Sequence, residues 1–246
     1  MMRYPGEVYY LQPDLYEPEG KGDRPHVLLS PWRKETGTST LAYGSSSGND
    51  ANHRAEHVFI DPRAGRYRGT GLVRPTYIYP SKLVLAAVDT LGPRAGRIIH
   101  EMPAIRASLV RSLGVGSGVT RERNGWGYNR RGRLVELTPD LEDEWEVSHA
   151  LVVTEPHYSR AGYHQTVVPL LDGSFQIAEF DVPLQDTAWL SHLESRYRGA
   201  FIGVPMASTA YAPDHIVRFL GIVVPPEIMA EVDRSLVAYF GLQEYV

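Results

Sequence analysis

A weak internal repeat is the feature of this sequence that most constrains its fold, because a repeated pattern predicts a repeated unit of structure. The segment GEVYYLQPDLYE begins at Gly6, and the segment GRLVELTPDLED begins at Gly132. Each contains a glycine, a run of strand-forming residues, the pattern Leu-x-Pro-Asp-Leu and an acidic end. The sequence therefore predicts two similar halves, each opening on a β-strand.

Two further strands are predicted at matching places in each half. The apolar runs HVLLSP from His26 and HALVVTE from His149 are typical of buried strands. The runs STLAYGS from Ser39 and QTVVPLL from Gln165 predict the next strand of each half. His26 and His149 open corresponding runs, and this favours a structural role for both.

Each half is predicted to close with a helix that ends at a glycine. Apolar residues recur at helical spacing before Gly114 and before Gly241. They are Ile105, Leu109 and Leu113 in the first half, and Ile228, Met229, Val232, Leu236 and Phe240 in the second. Pro225-Pro226-Glu227 suits the start of the second helix, and Gly241 suits the position after its last residue.

Short strands followed by one helix predict an α+β fold, in which a small twisted sheet or barrel packs against a helix. The Gly- and Arg-rich stretch between the halves has no hydrophobic period and predicts a linker. The predicted domains are residues 1–118 and 132–246, with residues 119–131 as the linker.

The composition of the chain excludes several kinds of site. The chain has no cysteine, which excludes disulfides, thiolate nucleophiles and cysteine-ligated zinc. It has no apolar run long enough to span a membrane, and its N-terminus lacks the apolar core of a signal peptide, so a cytoplasmic location is expected.

Residues 1–123 carry 17 basic and 12 acidic side chains, whereas residues 124–246 carry 8 basic and 17 acidic side chains. The basic half suits an anionic ligand such as nucleic acid, although drifted surfaces on two soluble domains explain the asymmetry equally well.

Two hydrolase patterns occur between Thr40 and His57. Residues 44–48, Gly-Ser-Ser-Ser-Gly, match the nucleophile elbow, and residues 53–57, His-Arg-Ala-Glu-His, match a zinc-protease motif. The elbow needs a strand–turn–helix context, and the zinc motif needs both histidines on one helix face. Neither context is predicted, because loop residues follow Ser47 and a strand-like run follows them. A serine esterase with Ser46 as nucleophile remains the third functional hypothesis.

Three stretches, in this order along the chain, resemble the MazF/PemK family of toxin endoribonucleases, whose core is an SH3-like barrel. Gly6-Glu7-Val8 is similar to the family's opening motif, and residues 22–31, GDRPHVLLSP, are similar to its Arg-Pro motif and following strand. Residues 227–242 are similar to its C-terminal helix. The resemblance covers most of residues 5–115 and, more loosely, residues 131–243. It implies two SH3-like small β-barrels, each with a C-terminal helix, arranged as an intramolecular pseudo-dimer.

The same resemblance implies a catalytic site in the first half alone. The family's catalytic arginine corresponds to Arg24, and its catalytic threonine corresponds to Ser45 or, preferably, Ser46. In the second half these positions fall at residues 147–148, Val-Ser, and at residues 171–172, Leu-Asp. Neither keeps the required group, so the second copy is expected to be degenerate.

An arginine beside a hydroxyl suits RNA cleavage by the 2′-OH of the RNA itself. The enzyme must stabilise charge on the phosphate oxygens, and arginine binds them with two parallel hydrogen bonds while staying charged. A serine hydroxyl donates one more hydrogen bond. Other roles stay open: Arg24 is equally well a solvated loop residue, and Ser46 a turn residue.

Further basic residues of the first half are candidates for RNA contacts. The stretch RAGRYRG, residues 63–69, interleaves arginine with Tyr67, which suits backbone contact with base stacking or, equally, a polar hairpin loop. Tyr77 and Tyr79 alternate along a predicted strand and are interpreted as strand residues. The RNA-binding candidates are His26, Arg54, Arg66, Arg68, Arg74 and Lys82. His26, beside Arg24, is also a candidate for assisting proton transfer.

The leading functional hypothesis is a toxin-like endoribonuclease that cleaves single-stranded RNA without a metal ion or other cofactor. The resemblance implies a small acidic antitoxin protein as a partner and leaves a further homodimer open. The alternative is a non-catalytic module of the same fold that binds nucleic acid or protein in a regulatory role. Loss of the second site and serine in place of threonine favour that alternative.

Overall fold

The computed structural model of the chain describes residues 3–11, 23–31, 37–46, 57–87, 89–117, 131–139, 147–154, 164–185, 188–191, 193, 197, 199–211 and 215–246. The chain divides into two compact units, Met1–Leu109 and Val110–Val246. None of the described helices is long and apolar enough to cross a membrane.

The first unit is an antiparallel sheet with the strand order β4-β5-β3-β2-β1-β6. Its strands are β1 (Glu7–Leu11), β2 (Arg24–Leu28), β3 (Thr38–Ser45), β4 (Val58–Ile60), β5 (Thr76–Ala87) and β6 (Gly96–Arg97). The long strand β5 pairs along all of β3, with a break in register after Ala42. Helix α1 (Met102–Leu113) follows β6.

The second unit repeats this topology with the order β10-β11-β9-β8-β7-β13. Its strands are β7 (Arg133–Leu137), β8 (His149–Val152), β9 (His164–Leu171), β10 (Val182–Pro183), β11 (Phe201–Ile202), β12 (Ser208–Tyr211) and β13 (Ile216–Val223). Strands β11 and β12 both pair with β9, so together they are the counterpart of β5. Helix α2 (Pro226–Phe240) follows β13. The strands predicted from the repeat are confirmed.

The hydrogen bonds that open each sheet show which residues occupy equivalent positions in the two units. The Gly6 amide donates to the Leu28 carbonyl at 2.8 Å, and the Gly132 amide donates to the Val152 carbonyl at 2.9 Å. Counting from these bonds, His26 corresponds to Ala150, and His149 corresponds to Pro25. The predicted equivalence of the two histidines is therefore wrong by one residue, which in a strand puts their side chains on opposite faces.

Both predicted helices are confirmed, with their ends at the predicted glycines. The residue after α2 is Gly241 in the left-handed conformation (φ 64°), and the amide of the next residue, Leu242, donates to the Val237 carbonyl at 2.8 Å. This closure satisfies a carbonyl of the last turn, and glycine adopts it without strain. Gly114 after α1 also has a positive φ of 59°.

Each sheet encloses apolar side chains. In the first unit, Tyr9, Leu28, Leu41 and Leu91 form one buried cluster. In the second unit a larger cluster consists of Val135, Leu137, Val147, Ala150, Val152, Val167, Leu171, Phe201, Ala210 and Ile216. Burial of such side chains is the main favourable term in the stability of each unit.

Arg131, the last residue of the predicted linker, is fully buried in the second unit. Its guanidinium donates to the Leu113 carbonyl at 2.9 Å and forms an ion pair with Asp233 of α2. The Asp233 carboxylate also accepts from the Gly116 amide at 3.0 Å. The last residues of α1, which from Val110 onward belong to the second unit, are thus held to α2 within that unit by a buried ion pair. The remainder of the predicted linker lies outside the described residues.

Candidate functional site

A cavity of about 350 Å³ lies at one end of the first unit's sheet. The antiparallel order brings together there the end of β1, the start of β2, the end of β3 and the start of β5. The cavity is lined by Tyr10, Asp23, Arg24, Pro25, Ser46, Val73, Arg74 and Thr76. It therefore contains two arginines, one carboxylate and three hydroxyl side chains.

Arg24 enters the cavity as the first residue of β2. The following Pro25 restricts Arg24 to extended backbone, which suits the first residue of a strand. Arg24 pairs with Leu11 of β1, and its carbonyl lies 2.9 Å from Nδ1 of His26. Its side chain is half-buried, so part of it is in contact with solvent.

Ser46 follows directly after β3 and is exposed, whereas Ser45 is buried. Ser45 pairs with Tyr77 inside the sheet, and Ser46 lines the cavity with Arg24. The approach of β2 to β3 depends on Gly44, because a Cβ there would lie 2.6 Å from the Pro25 carbonyl oxygen. Of the two candidate serines, Ser46 is the one that shares a cavity with the arginine.

Arg74 enters the cavity from the loop before β5. The Thr76 hydroxyl donates to the Arg74 carbonyl at 2.9 Å, and the Tyr10 hydroxyl donates to the Gly71 carbonyl at 3.2 Å. Gly71 (φ 73°) packs so closely that a Cβ would lie 2.4 Å from the backbone of Ala95. The loop backbone is thus held against the sheet, while the Arg74 side chain is exposed.

The other predicted RNA contacts lie elsewhere. Arg66 and Arg68 are exposed beside a short 3-10 turn, with the Arg66 guanidinium 4.7 Å from the Tyr67 ring centroid. Lys82 Nζ lies 3.8 Å from the ring centroid of Tyr43. His26 is 4% exposed, and its ring packs edge-on against Tyr43 at 5.5 Å. None of these four lines the cavity.

Parts of the two hydrolase patterns, together with Arg54, lie outside the described residues. Gly44 and Ser45 of the serine pattern belong to β3, and Ser46 ends the described part of that pattern. Among the residues the structure describes, no group of three or more histidine and acidic side chains is arranged to hold a metal ion.

Sequence reasoning missed three polar members of the cavity, namely Tyr10, Asp23 and Thr76. Asp23 is adjacent to Arg24 in the chain, so its position was available from the motif. Tyr10 and Thr76 come from strands far away in sequence, and only the pairing of β1 with β2 and of β3 with β5 brings them close.

The corresponding place in the second unit has different chemistry. By register, Ser148 takes the position of Arg24, and Asp172 takes the position of Ser46. The Asp172 carboxylate is engaged by the amide of Ser174 at 2.8 Å and by the Ser174 hydroxyl. A carboxylate in place of a hydroxyl and a serine in place of an arginine remove the positive charge that a phosphate needs.

The sequence matches no family model and no curated protein. Among solved structures, it is similar to an endoribonuclease in complex with its cognate antitoxin from a mycobacterial species. That similarity has a TM-score of 0.34 and 20% identity over 46% of this chain and 96% of the other. It is also similar to the Mycobacterium tuberculosis toxin MazF-mt6, with a TM-score of 0.31 and 17% identity over 42% of this chain and 92% of that one.

Proposed function

We propose that the first unit is a metal-independent endoribonuclease that cleaves single-stranded RNA in the Arg24 cavity. The observation that carries the proposal is that Arg24, Ser46 and Arg74 line one cavity, although they come from three separate segments of the chain. The sequence resemblance to the MazF/PemK family supports the same chemistry on independent grounds, since its motifs select Arg24 and the Ser45–Ser46 pair.

In this proposal the RNA supplies its own nucleophile. The 2′-oxygen attacks the adjacent phosphorus while its proton leaves, and the bond from phosphorus to the 5′-oxygen breaks as that oxygen takes up a proton. The products are a 2′,3′-cyclic phosphate and a 5′-OH. Arg24 binds the phosphate oxygens and stabilises the charge that builds on them, and the Ser46 hydroxyl donates a further hydrogen bond.

Arg74 and its neighbours hold the RNA backbone rather than the reacting phosphate. Arg74 is exposed at the rim, where it neutralises a flanking phosphate. Exposed Arg66 and Arg68, together with Lys82 and Arg54, remain candidates for more distant backbone contacts. His26 is buried, and it supports β2 at Arg24 through its contact with the Arg24 carbonyl.

The second unit is proposed to be a degenerate copy of the first, with domains at residues 1–118 and 132–246. The shared strand order supports a duplication. In the cell, a small acidic antitoxin would oppose the activity by occupying the basic cavity, and the two copies would act as a pseudo-dimer in the cytoplasm.

Variants of the two serines test the site. Because Ser46 supplies a hydroxyl to the cavity, Ser46→Ala should slow cleavage of single-stranded RNA in EDTA by about 10²-fold or more. Ser46→Thr should retain activity, and Ser45→Ala should act mainly on stability. Equal rates for the wild type and Ser46→Ala would assign the hydroxyl no part in the reaction.

The second candidate function is binding without cleavage. One observation favours it: the Asp23 carboxylate lines the same cavity as Arg24 and offsets part of its charge. Retention of intact single-stranded RNA by the purified protein, with no cyclic-phosphate product in EDTA, would support this function over the first.

A further inference from the structure

Six aromatic rings run side by side in the first unit, five of them on strands β2, β3, β4 and β5 and one directly before β4. We call this row the aromatic ladder; it consists of His26, Tyr43, Tyr79, His57, Tyr77 and Phe59. Successive ring centroids are separated by 5.5 Å, 6.4 Å, 6.0 Å, 4.9 Å and 4.8 Å. Strand pairing produces the row, since Tyr43 lies opposite both His26 and Tyr79, and Phe59 lies opposite Tyr77.

The ladder is buried at one end and exposed at the other. His26, Tyr43 and Tyr79 are each less than 9% exposed and belong to the interior. His57 and Tyr77 are half-buried, and Phe59 is 45% exposed. The exposed end thus presents aromatic rings to solvent, and these rings pack against the buried rings of the ladder.

The fold itself does not require the ladder, because the second unit builds the same sheet without it. At equivalent register positions, His26 is replaced by Ala150, Tyr43 by Pro169, Tyr79 by Gly203, His57 by Asp181 and Phe59 by Pro183. Tyr77 alone keeps a ring there, as the fully buried Phe201. The unit that lacks the Arg24 and Ser46 counterparts therefore also lacks the ladder.

The exposed end lies next to the candidate site. Tyr77 follows Thr76, which lines the cavity, and pairs with Ser45, which precedes Ser46. Because successive strand residues point to opposite faces, Thr76 lies on the face opposite Tyr77, whereas Arg24, two residues before His26 in β2, lies on the face of the rings. The cavity and the exposed rings therefore meet at one end of the sheet. The nearby carboxylate of Asp61 is neutralised by Arg63, whose guanidinium donates to it at 2.9 Å and 2.8 Å.

We propose that His57, Phe59 and Tyr77 form a stacking platform for an unpaired nucleobase of a strand whose phosphate lies in the Arg24 cavity. This inference rests on the proposed function, because the ligand is taken to be the same single-stranded RNA. Stacking on an exposed aromatic ring tolerates every base, because each base has a π face, while the arginines hold the backbone. Nucleic acid fits better than a protein partner, because the rings adjoin a cavity that contains two arginines.

Binding of a strand that cannot be cleaved separates this proposal from the catalytic one. The probe is a short, mixed-sequence, fluorescein-labelled RNA that is 2′-O-methylated throughout, so that no 2′-OH can attack. Fluorescence anisotropy of the full-length protein should show that Phe59→Leu weakens binding about tenfold, since loss of a stacking ring costs that order of affinity. Phe59→Trp should restore it.

The matched control is Tyr4→Leu, because Tyr4 is a 48% exposed aromatic residue of the same unit outside the ladder. It should leave binding of the methylated strand unchanged. A 2-aminopurine base in the probe should be quenched by the wild-type protein and not by Phe59→Leu, which reports stacking rather than folding.

Three results would overturn the proposal: no binding of the methylated strand by the wild type, wild-type affinity for Phe59→Leu, or equal weakening by Phe59→Leu and Tyr4→Leu. The first two would leave the exposed rings to a protein partner. Phe59-dependent binding of the methylated strand, together with no cleavage of unmodified single-stranded RNA, would refute the nuclease and keep the platform.

Discussion

At the scale of single residues, the cavity depends on groups whose backbone is fixed before any ligand arrives. Pro25 holds Arg24 extended, Gly44 permits β2 to approach β3, and Gly71 permits the Arg74 loop to pack on the backbone before β6. A side chain placed in this way needs less reorganisation when a ligand binds. At the other end of β1 lies Glu7.

Glu7 of β1 is a buried carboxylate with its hydrogen bonds satisfied. Burial alone would raise its pKa, but the Tyr9 hydroxyl at 2.6 Å, a backbone hydrogen bond at Tyr4 and the Arg94 guanidinium at 3.1 Å together hold that pKa below its usual value of 4.5. Burial and the Glu7 carboxylate also raise the pKa of Tyr9, which keeps its hydroxyl protonated as the donor.

A carboxylate with a lowered pKa stabilises the folded state above its unfolded pKa, and this stabilisation is lost as the pH falls through the folded value. Glu7→Gln should therefore reduce the free energy of unfolding near pH 7 by about 1–3 kcal/mol. The difference in unfolding free energy between Glu7→Gln and the wild type should become smaller below pH 4.5. Urea unfolding at several pH values measures this, with exposed Glu244→Gln as the control. A gap that stays constant with pH would contradict the assignment.

At the scale of elements, the repeat predicts strands and helices correctly, because apolar runs and glycine ends are local signals. The register between strands, in contrast, is not determined by local sequence. The chain between the repeated glycine and the second strand differs in length between the halves, and a shift of one residue moved His149 to the face opposite that of His26. The ladder was missed for the same reason: five of its six rings come from four strands, and only their pairing makes them neighbours.

The buried Arg131–Asp233 pair inside the second unit is the element-scale feature that a mutation tests best. Asp233→Asn would leave the Arg131 guanidinium buried without a counter-charge, which costs about 3–5 kcal/mol in comparable pairs. Chemical denaturation should show a loss of that order. The control is Glu231→Gln on the same helix, since its pair with Arg234 is exposed and should contribute under about 1 kcal/mol. Equal losses of unfolding free energy in both variants would show that the buried pair contributes no more to stability than the exposed pair.

At the scale of the whole molecule, the two units share a strand order and differ in chemistry. The first half of the sequence carries the excess of basic side chains, and its unit combines the arginine cavity with the aromatic ladder. The second half is acidic, and its unit has Ser148 and Asp172 at the two key positions. Arg24 and the serine pair were predictable from short motifs. The grouping of Arg24 with Tyr10, Arg74 and Thr76 was not, because it depends on how strand ends converge.

Cleavage of single-stranded RNA by the purified full-length protein in EDTA, compared with Arg24→Ala, tests the central claim most directly. The wild type should yield 2′,3′-cyclic phosphate and 5′-OH ends. Arg24→Ala should be at least about 10²-fold slower, because it removes the charge that stabilises the phosphate oxygens. Arg97→Ala, which changes an exposed arginine of β6 outside the cavity, should keep its activity. A folded Arg24→Ala variant that cuts at the wild-type rate would contradict the claim.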